Sequence, residues 1–296
     1  MEKIFKNTNK ICLLYYSLIF LLIKISLSKK ILQNLKHLLS ISEITIAIKG
    51  SGDQYIINNK TTSIENVDYS FDYIPDKLLI NGKDAGYTGI MVYNLEKEEN
   101  TITMIFNEIL LHCNVMFYNL TNIIYIDFSK FDSSKIIEMA GTFLDCKSLT
   151  SINLNNFNTK SVTTMHRLFY GCLELRSLDL SSFDTSNVED MFGIFSFCSS
   201  LTSLDLSNFN TSSVTIMSVM FHTCKLIKKL DLSNFDTSLV TNFHGMFKFC
   251  ISLISININN FSTKSATNMN DMFYECSSLV FLNLYHFNTS KNKIYK

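Results

Sequence analysis

The chain has 296 residues, 47% of them apolar, with 26 Lys and Arg against 26 Asp and Glu, nine Gly, one Pro and no Trp. Disorder needs low hydrophobicity with high net charge, collagen needs Gly at every third position, and non-specific nucleic-acid binding needs a basic excess; a neutral, Gly-poor chain meets none of these conditions. Eight Cys are too few at this length for a small disulfide scaffold.

Lys3, Lys6 and Lys10 precede an apolar run from Ile11 to Ile25, and Ser26-Leu27-Ser28 follows it as a small-x-small cleavage site. Residues 1–28 therefore read as a signal peptide, or as an uncleaved N-terminal anchor; either way the rest of the chain is exported. The expected location is extracellular, secreted or at the cell surface, with membrane contact only through this segment if it is retained. Acceptor sequons at Asn59, Asn119, Asn210, Asn260 and Asn288 are candidate glycosylation sites compatible with that route. Residues 29–42 read as a linker or a short amphipathic helix through Ile31, Leu35, Leu38 and Leu39.

Residues 43–118 carry strand signals and form a β-rich N-terminal cap module. Ile44 to Lys49 alternates, Gly50-Ser51-Gly52 turns, and Tyr55-Ile56-Ile57 returns as a second strand. Leu78-Leu79-Ile80 leads into Asn81-Gly82, a hairpin turn, and Thr101 to Phe106 is a further strand.

A repeat follows over residues 119–290. Cysteines stand at 146, 172, 198, 224, 250 and 276, each 26 residues after the last, and one more unit precedes them with Leu120 in the Cys position. Each unit opens with Leu-x-x-Leu-x-Leu-x-x-Phe, as at Leu201, Leu204, Leu206 and Phe209, which predicts a short strand. Its second half starts at Thr-Ser, a plausible N-cap, and places Val214, Met217, Phe221 and Cys224 at the spacing of one helical face. The expected fold is an α/β repeat solenoid of the leucine-rich-repeat type, with one short strand and one short helix per unit. Residues 291–296 are a truncated tail, and the last unit lacks a helical face. That leaves end-to-end assembly or self-association through the C-terminal unit as an alternative role.

The repeated positions sort into columns. The cysteines are expected to be small buried core residues, with disulfides between neighbouring units as the alternative. The Met and Phe columns are core by their spacing. Asp127, Asn153, Asp179, Asp205, Asp231, Asn257 and Asn283 form an exposed polar line; it is a solvated face, or it favours a cation or a basic partner. A second polar line from Asp132 to Asn288 is turn and capping chemistry. No metal site, cofactor site or catalytic constellation is expected: the six His are dispersed, and no phosphate loop or nucleophile motif occurs.

Two positions after the first Leu vary from unit to unit: Ile124-Tyr125, Thr150-Ser151, Arg176-Ser177, Thr202-Ser203, Lys228-Lys229, Ile254-Ser255 and Val280-Phe281. Packing does not dictate them, so a partner would be read there. The candidate partner-binding face is Tyr125, Asp127, Arg176, Asp179, Asp205, Lys228, Lys229, Asp231, Phe281 and Tyr285.

The unit Ser-Leu-x-x-Leu-Asp-Leu-Ser-x-Phe-(Asp/Asn)-Thr-Ser-x-Val-x-x-Met-x-x-Met-Phe-x-x-Cys resembles that of the BspA-like leucine-rich-repeat surface proteins, also called the mycoplasma-lipoprotein-type repeat. The resemblance covers about residues 116–290 and departs where Phe243 replaces Met and where the last unit stops. It implies a non-enzymatic, secreted or surface-displayed protein that binds an extracellular protein or matrix ligand in adhesion. It names no ligand, and no lipobox Cys follows the N-terminal segment, so lipoprotein anchoring is not implied.

Overall fold

The computed structural model describes residues 41–58, 61–64, 67–86 and 92–288. The chain divides into two compact units, Met1–Ile41 and Ser42–Lys296, and every described strand belongs to the second. The expected signal segment, Cys12, Asn59, nearly all of the linker and the tail at 291–296 lie outside the described residues.

Alternation does what it predicts in the first strands. β1 (Ser42–Lys49) buries Ile44, Ile46 and Ile48 on one face, and β8 (Glu99–Phe106) presents Ile102, Met104 and Phe106 to the same core. They pair antiparallel, with Ile46 opposite Ile102. β5 (Lys77–Ile80) adds to the other side of β8, and β6 (Lys83–Asp84) returns from it through Asn81 and Gly82. Both turn residues have positive φ, 51° and 77°, the requirement of a type I′ hairpin that Asn-Gly satisfies.

β9 (Ile123–Lys130) pairs antiparallel with β1, and β10 (Ser151–Asn153) pairs parallel with β9. One six-stranded sheet, in the order β10-β9-β1-β8-β5-β6, thus runs from the β-rich segment into the first repeats. Three two-stranded sheets complete the strands: β2 (Gly52–Tyr55) with β7 (Val92–Leu95), β3 (Thr62–Ile64) with β4 (Val67–Tyr69), and β11 (Lys229–Asp231) with β12 (Ser255–Asn257). Tyr55 does not lead a return strand onto β1; β2 ends there, and Ile56 and Ile57 are buried.

The expected leucine-rich-repeat solenoid is overturned. Among the described residues there is no helix, and the strands lie in one six-stranded sheet and three separate two-stranded ones. Only the units beginning at Leu120, Cys146, Cys224 and Cys250 contain a strand among the described residues. The helical reading fails because two positions per unit have positive φ. One column is Gly141 (59°), Arg167 (54°), Gly193 (58°), Val219 (49°), Gly245 (58°) and Asp271 (58°); the other runs through Asp145, Gly171, Phe197, Thr223, Phe249 and Glu275. A left-handed residue cannot continue a right-handed helix.

The backbone solves its hydrogen bonding another way. N–H groups of Met139, Gly141, Phe143 and Asp145 donate to the carbonyls of Thr164, His166, Leu168 and Tyr170 in the next unit, at 2.8–3.2 Å. Between them, Leu144 and Cys146 donate back to Gly141 and Phe143, closing local turns at 3.0 and 3.1 Å. The same alternation recurs from Met165 to Gly171 and beyond, so every second N–H joins neighbouring units. Isolated parallel bridges mark the ladder, from His112–Glu138 through Glu138–Thr164 and Thr164–Asp190 to Asn242–Asn268.

Side chains reinforce that register. Phe117, Phe143, Phe169, Phe195, Phe221, Phe247 and Phe273 stack in one column with ring centroids 5.2–6.0 Å apart. The Thr expected as an N-cap is instead buried: Thr159, Thr185, Thr237 and Thr263 are no more than 2% exposed. Thr185 Oγ1 donates to the Asn210 carbonyl and accepts the Asn210 N–H, both at 2.9 Å.

The cysteine column is core, and its thiols are free. Each S–H donates to the Phe carbonyl 29 residues earlier, as from Cys172 to Phe143 at 3.2 Å and from Cys224 to Phe195 at 3.2 Å. Burial pushes these thiols up, to about 12 at Cys198 and about 11 at the less buried Cys276.

Candidate functional site

The variable pairs come to lie in register on one face. Tyr125 pairs with Ser151 and Asp127 with Asn153; Lys229 pairs with Ser255 and Asp231 with Asn257; Ser255 bridges to Phe281. From Thr150-Ser151 to Val280-Phe281 every one of these positions is exposed, whereas Ile124 and Tyr125 are half-buried where β9 joins the large sheet. Arg176, Asp179, Asp205, Lys228, Lys229 and Asp231 are exposed, and Phe281 and Tyr285 are 72% and 88% exposed. Burial and then the Asp127 carboxylate push the Tyr125 phenol up, with a hydrogen bond from Asn153 opposing them.

The Asp/Asn line closes turns. Asp127, Asp179, Asp205 and Asp231 each accept, through Oδ1, the N–H of the Ser two residues on, at 2.9–3.0 Å. Asn153 and Asn283 do the same for Asn155 and Tyr285 at 3.1 Å. This is an Asx turn, and the Ser hydroxyl and N–H hold the carboxyls of Asp179, Asp205 and Asp231 below their ordinary range. Asp179, Asp205 and Asp231 therefore stay anionic, with one oxygen of each side chain committed to its own backbone. The second polar line behaves alike at Asp132, Asn158, Asp184, Asn210 and Asp236.

Of the sequons, Asn119, Asn210, Asn260 and Asn288 are exposed. The Asn260 amide donates to the Ser233 carbonyl, and Asn210 Oδ1 accepts the Ser212 N–H.

One cleft was not foreseen. A cavity of about 580 Å³ opens between β4 and the bridge column, lined by Asp68, Tyr69, His112, Glu138, Glu189 and Asp190 among others. Two of its acids are engaged locally: Asn114 Nδ2 donates to Glu138 Oε2 at 2.6 Å, and Asp190 contacts His166 Nδ1 at 2.9 Å and accepts the Phe192 N–H at 2.8 Å. Among the described residues no group of three or more His, Cys, Asp or Glu is placed to hold a metal ion. The available signal was the residue directly before each Met, which reads Glu138, Thr164 and Asp190 in successive units and is acidic only at this end.

A family model matches residues 111–229 and again residues 195–296. The chain belongs to the family described as Mycoplasma protein of unknown function, DUF285. Two overlapping matches are what an array of like units produces, because the family pattern can be laid on it in more than one register. The DUF285 match starts just before the first bridge residue, His112, and takes in all of the exposed columns. It does not extend to the leucine-rich-repeat assignment. No curated protein and no solved structure matches the chain.

Proposed function

We propose that this DUF285 protein is a non-enzymatic, secreted or surface-displayed binding protein that contacts an extracellular protein or matrix ligand through its exposed columns. The observation that carries the reading is the contrast between interior and exterior. Cys, Phe, Met and Thr recur in the buried columns, while the neighbouring exposed positions change to Ser, Thr, Arg, Lys, Ile, Val and Phe without altering the backbone register. Similarity of the unit to that of the BspA-like surface proteins supports an adhesive role, and the N-terminal segment read as a signal peptide or anchor supports export. Fold alone fixes no ligand.

The test changes the charge in the middle of the face, with Arg176→Glu, Asp179→Asn and Asp205→Asn combined so that each Asx turn keeps its Oδ1 acceptor, and measures binding to immobilised extracellular matrix proteins. The wild-type chain is expected to bind at least one component, and the triple variant to lose that binding while its melting temperature holds. Undiminished binding by a folded triple variant refutes the face as the recognition surface.

A further inference from the structure

One corner of the exposed face differs in chemistry from the rest. Lys225, Lys228 and Lys229 are all exposed, on a single unit. The backbone ladder carries Lys228 directly, and Lys229 by way of a serine, into apolar residues. The Ile254 N–H donates to the Lys228 carbonyl at 2.8 Å and the Val280 N–H to the Ile254 carbonyl at 3.3 Å, so these three lie side by side. Lys229 pairs with Ser255, which bridges to Phe281. Ile254, Val280 and Phe281 are 43%, 83% and 72% exposed. The carboxylate on this strand is Asp231, and its positions in the next two units are Asn257 and Asn283.

We propose that this corner rests on an anionic lipid surface. Exposed aliphatic and aromatic side chains beside a cluster of lysines suit the boundary between headgroups and acyl chains: the apolar groups enter it, and the ammonium groups stay among the phosphates. A protein partner fits less well. Protein interfaces are depleted of Lys and anchored by Arg, Trp and Tyr seated in pockets, and the residues of this corner line neither the acidic cleft nor a second cleft between Tyr55 and Tyr118. The contact goes beyond the binding role proposed above and does not depend on it.

Because the chain contains no Trp, Phe281→Trp in the full chain reports on this corner alone. Its emission is expected to shift to the blue with vesicles of equimolar phosphatidylserine and phosphatidylcholine. It should stay unshifted with phosphatidylcholine alone, and the shift should shrink as salt is raised. Adding Lys225→Glu, Lys228→Glu and Lys229→Glu is expected to weaken the vesicle titration by roughly a hundredfold or more, taking about 1 kcal/mol per lysine. Three results overturn the proposal. One is an unchanged spectrum on anionic vesicles, even where the chain floats with them through its N-terminal segment. Another is an equal shift on neutral vesicles. The last is a shift that grows with chain concentration without lipid, which makes the corner a contact between protein copies.

Discussion

Replacing Thr185 by Val tests whether buried hydroxyls set the register between units. The side chain is fully buried, and its Oγ1 both donates to and accepts from the backbone of Asn210 in the next unit, at 2.9 Å each way. Val keeps the shape and adds apolar character, so on hydrophobicity alone it stabilises. On hydrogen bonding it removes two bonds and leaves an N–H and a carbonyl without their partner, a loss of about 2–4 kcal/mol. For a protein of this size that lowers the melting temperature by roughly 4–16 °C. Thr185→Ser is the control, since it keeps the hydroxyl and loses one methyl at about 1 kcal/mol. The expected order in urea unfolding is wild type, then Ser, then Val. Hydrogen exchange should show the Asn210 amide losing protection in Val and retaining it in Ser. A Val variant as stable as the Ser variant, or more so, refutes the reasoning.

Three further outcomes rest on the same geometry. Gly193→Ala, at φ 58° with the new Cβ 3.3 Å from Tyr170, should cost about 1–2 kcal/mol in urea unfolding, and an unchanged midpoint contradicts the need for a left-handed residue there. In the native protein at pH 8, mass spectrometry after alkylation should find Cys276 labelled first and Cys146, Cys172, Cys198, Cys224 and Cys250 protected until unfolding; disulfide-linked pairs among them would contradict the free-thiol column. His222 sits between the Phe197 and Phe249 rings, and burial, then Lys248 and His244, hold its pKa below 6.5. The unfolded chain therefore takes up the proton first, so this stabilisation is complete above pH 6.5 and is lost as pH falls below it. The drop in urea midpoint from pH 7.5 to 5.5 should shrink in His222→Gln, and an equal drop in both proteins removes His222 as the cause.

What could be read in the sequence was local or strictly periodic. Asn81-Gly82 announced a hairpin because two residues suffice to define that turn, and Ile44 to Lys49 announced a strand because one face of it is buried. The cysteine interval located the units. The helical half was misread because Val214, Met217, Phe221 and Cys224 are indeed all buried, at a spacing a helix also produces. A competing signal lay in the same register: Gly141, Gly193 and Gly245 recur in every second unit and mark a left-handed position. Arg167, Val219 and Asp271 fill the intervening places and hide it, since nothing about a valine advertises φ 49°. The acidic cleft was illegible for a different reason. Asp68 and Glu138 are far apart in the chain, and only the placement of β4 against the bridge column brings them together.

The division of labour among the columns explains why the exposed face is free to carry function. Register between units is set by every second backbone N–H, by the Thr hydroxyls, by the Cys S–H donors and by the Phe column, all of them interior or within the ladder. The Asp/Asn line supplies the corner turns and is held to Asp or Asn by that task. Between these columns Thr150 and Thr202 each add a hydroxyl bond to a carbonyl of a neighbouring unit, while the charged positions carry no such duty. Arg176, Lys228 and Lys229 offer their neighbours only backbone groups, as when the Lys228 carbonyl accepts from Ile254, which any residue supplies. A change of side chain there alters surface chemistry with little effect on stability, commonly within about 0.5 kcal/mol. Repetition inside and variation outside are therefore two consequences of one arrangement, in which the ladder fixes the spacing between successive exposed side chains.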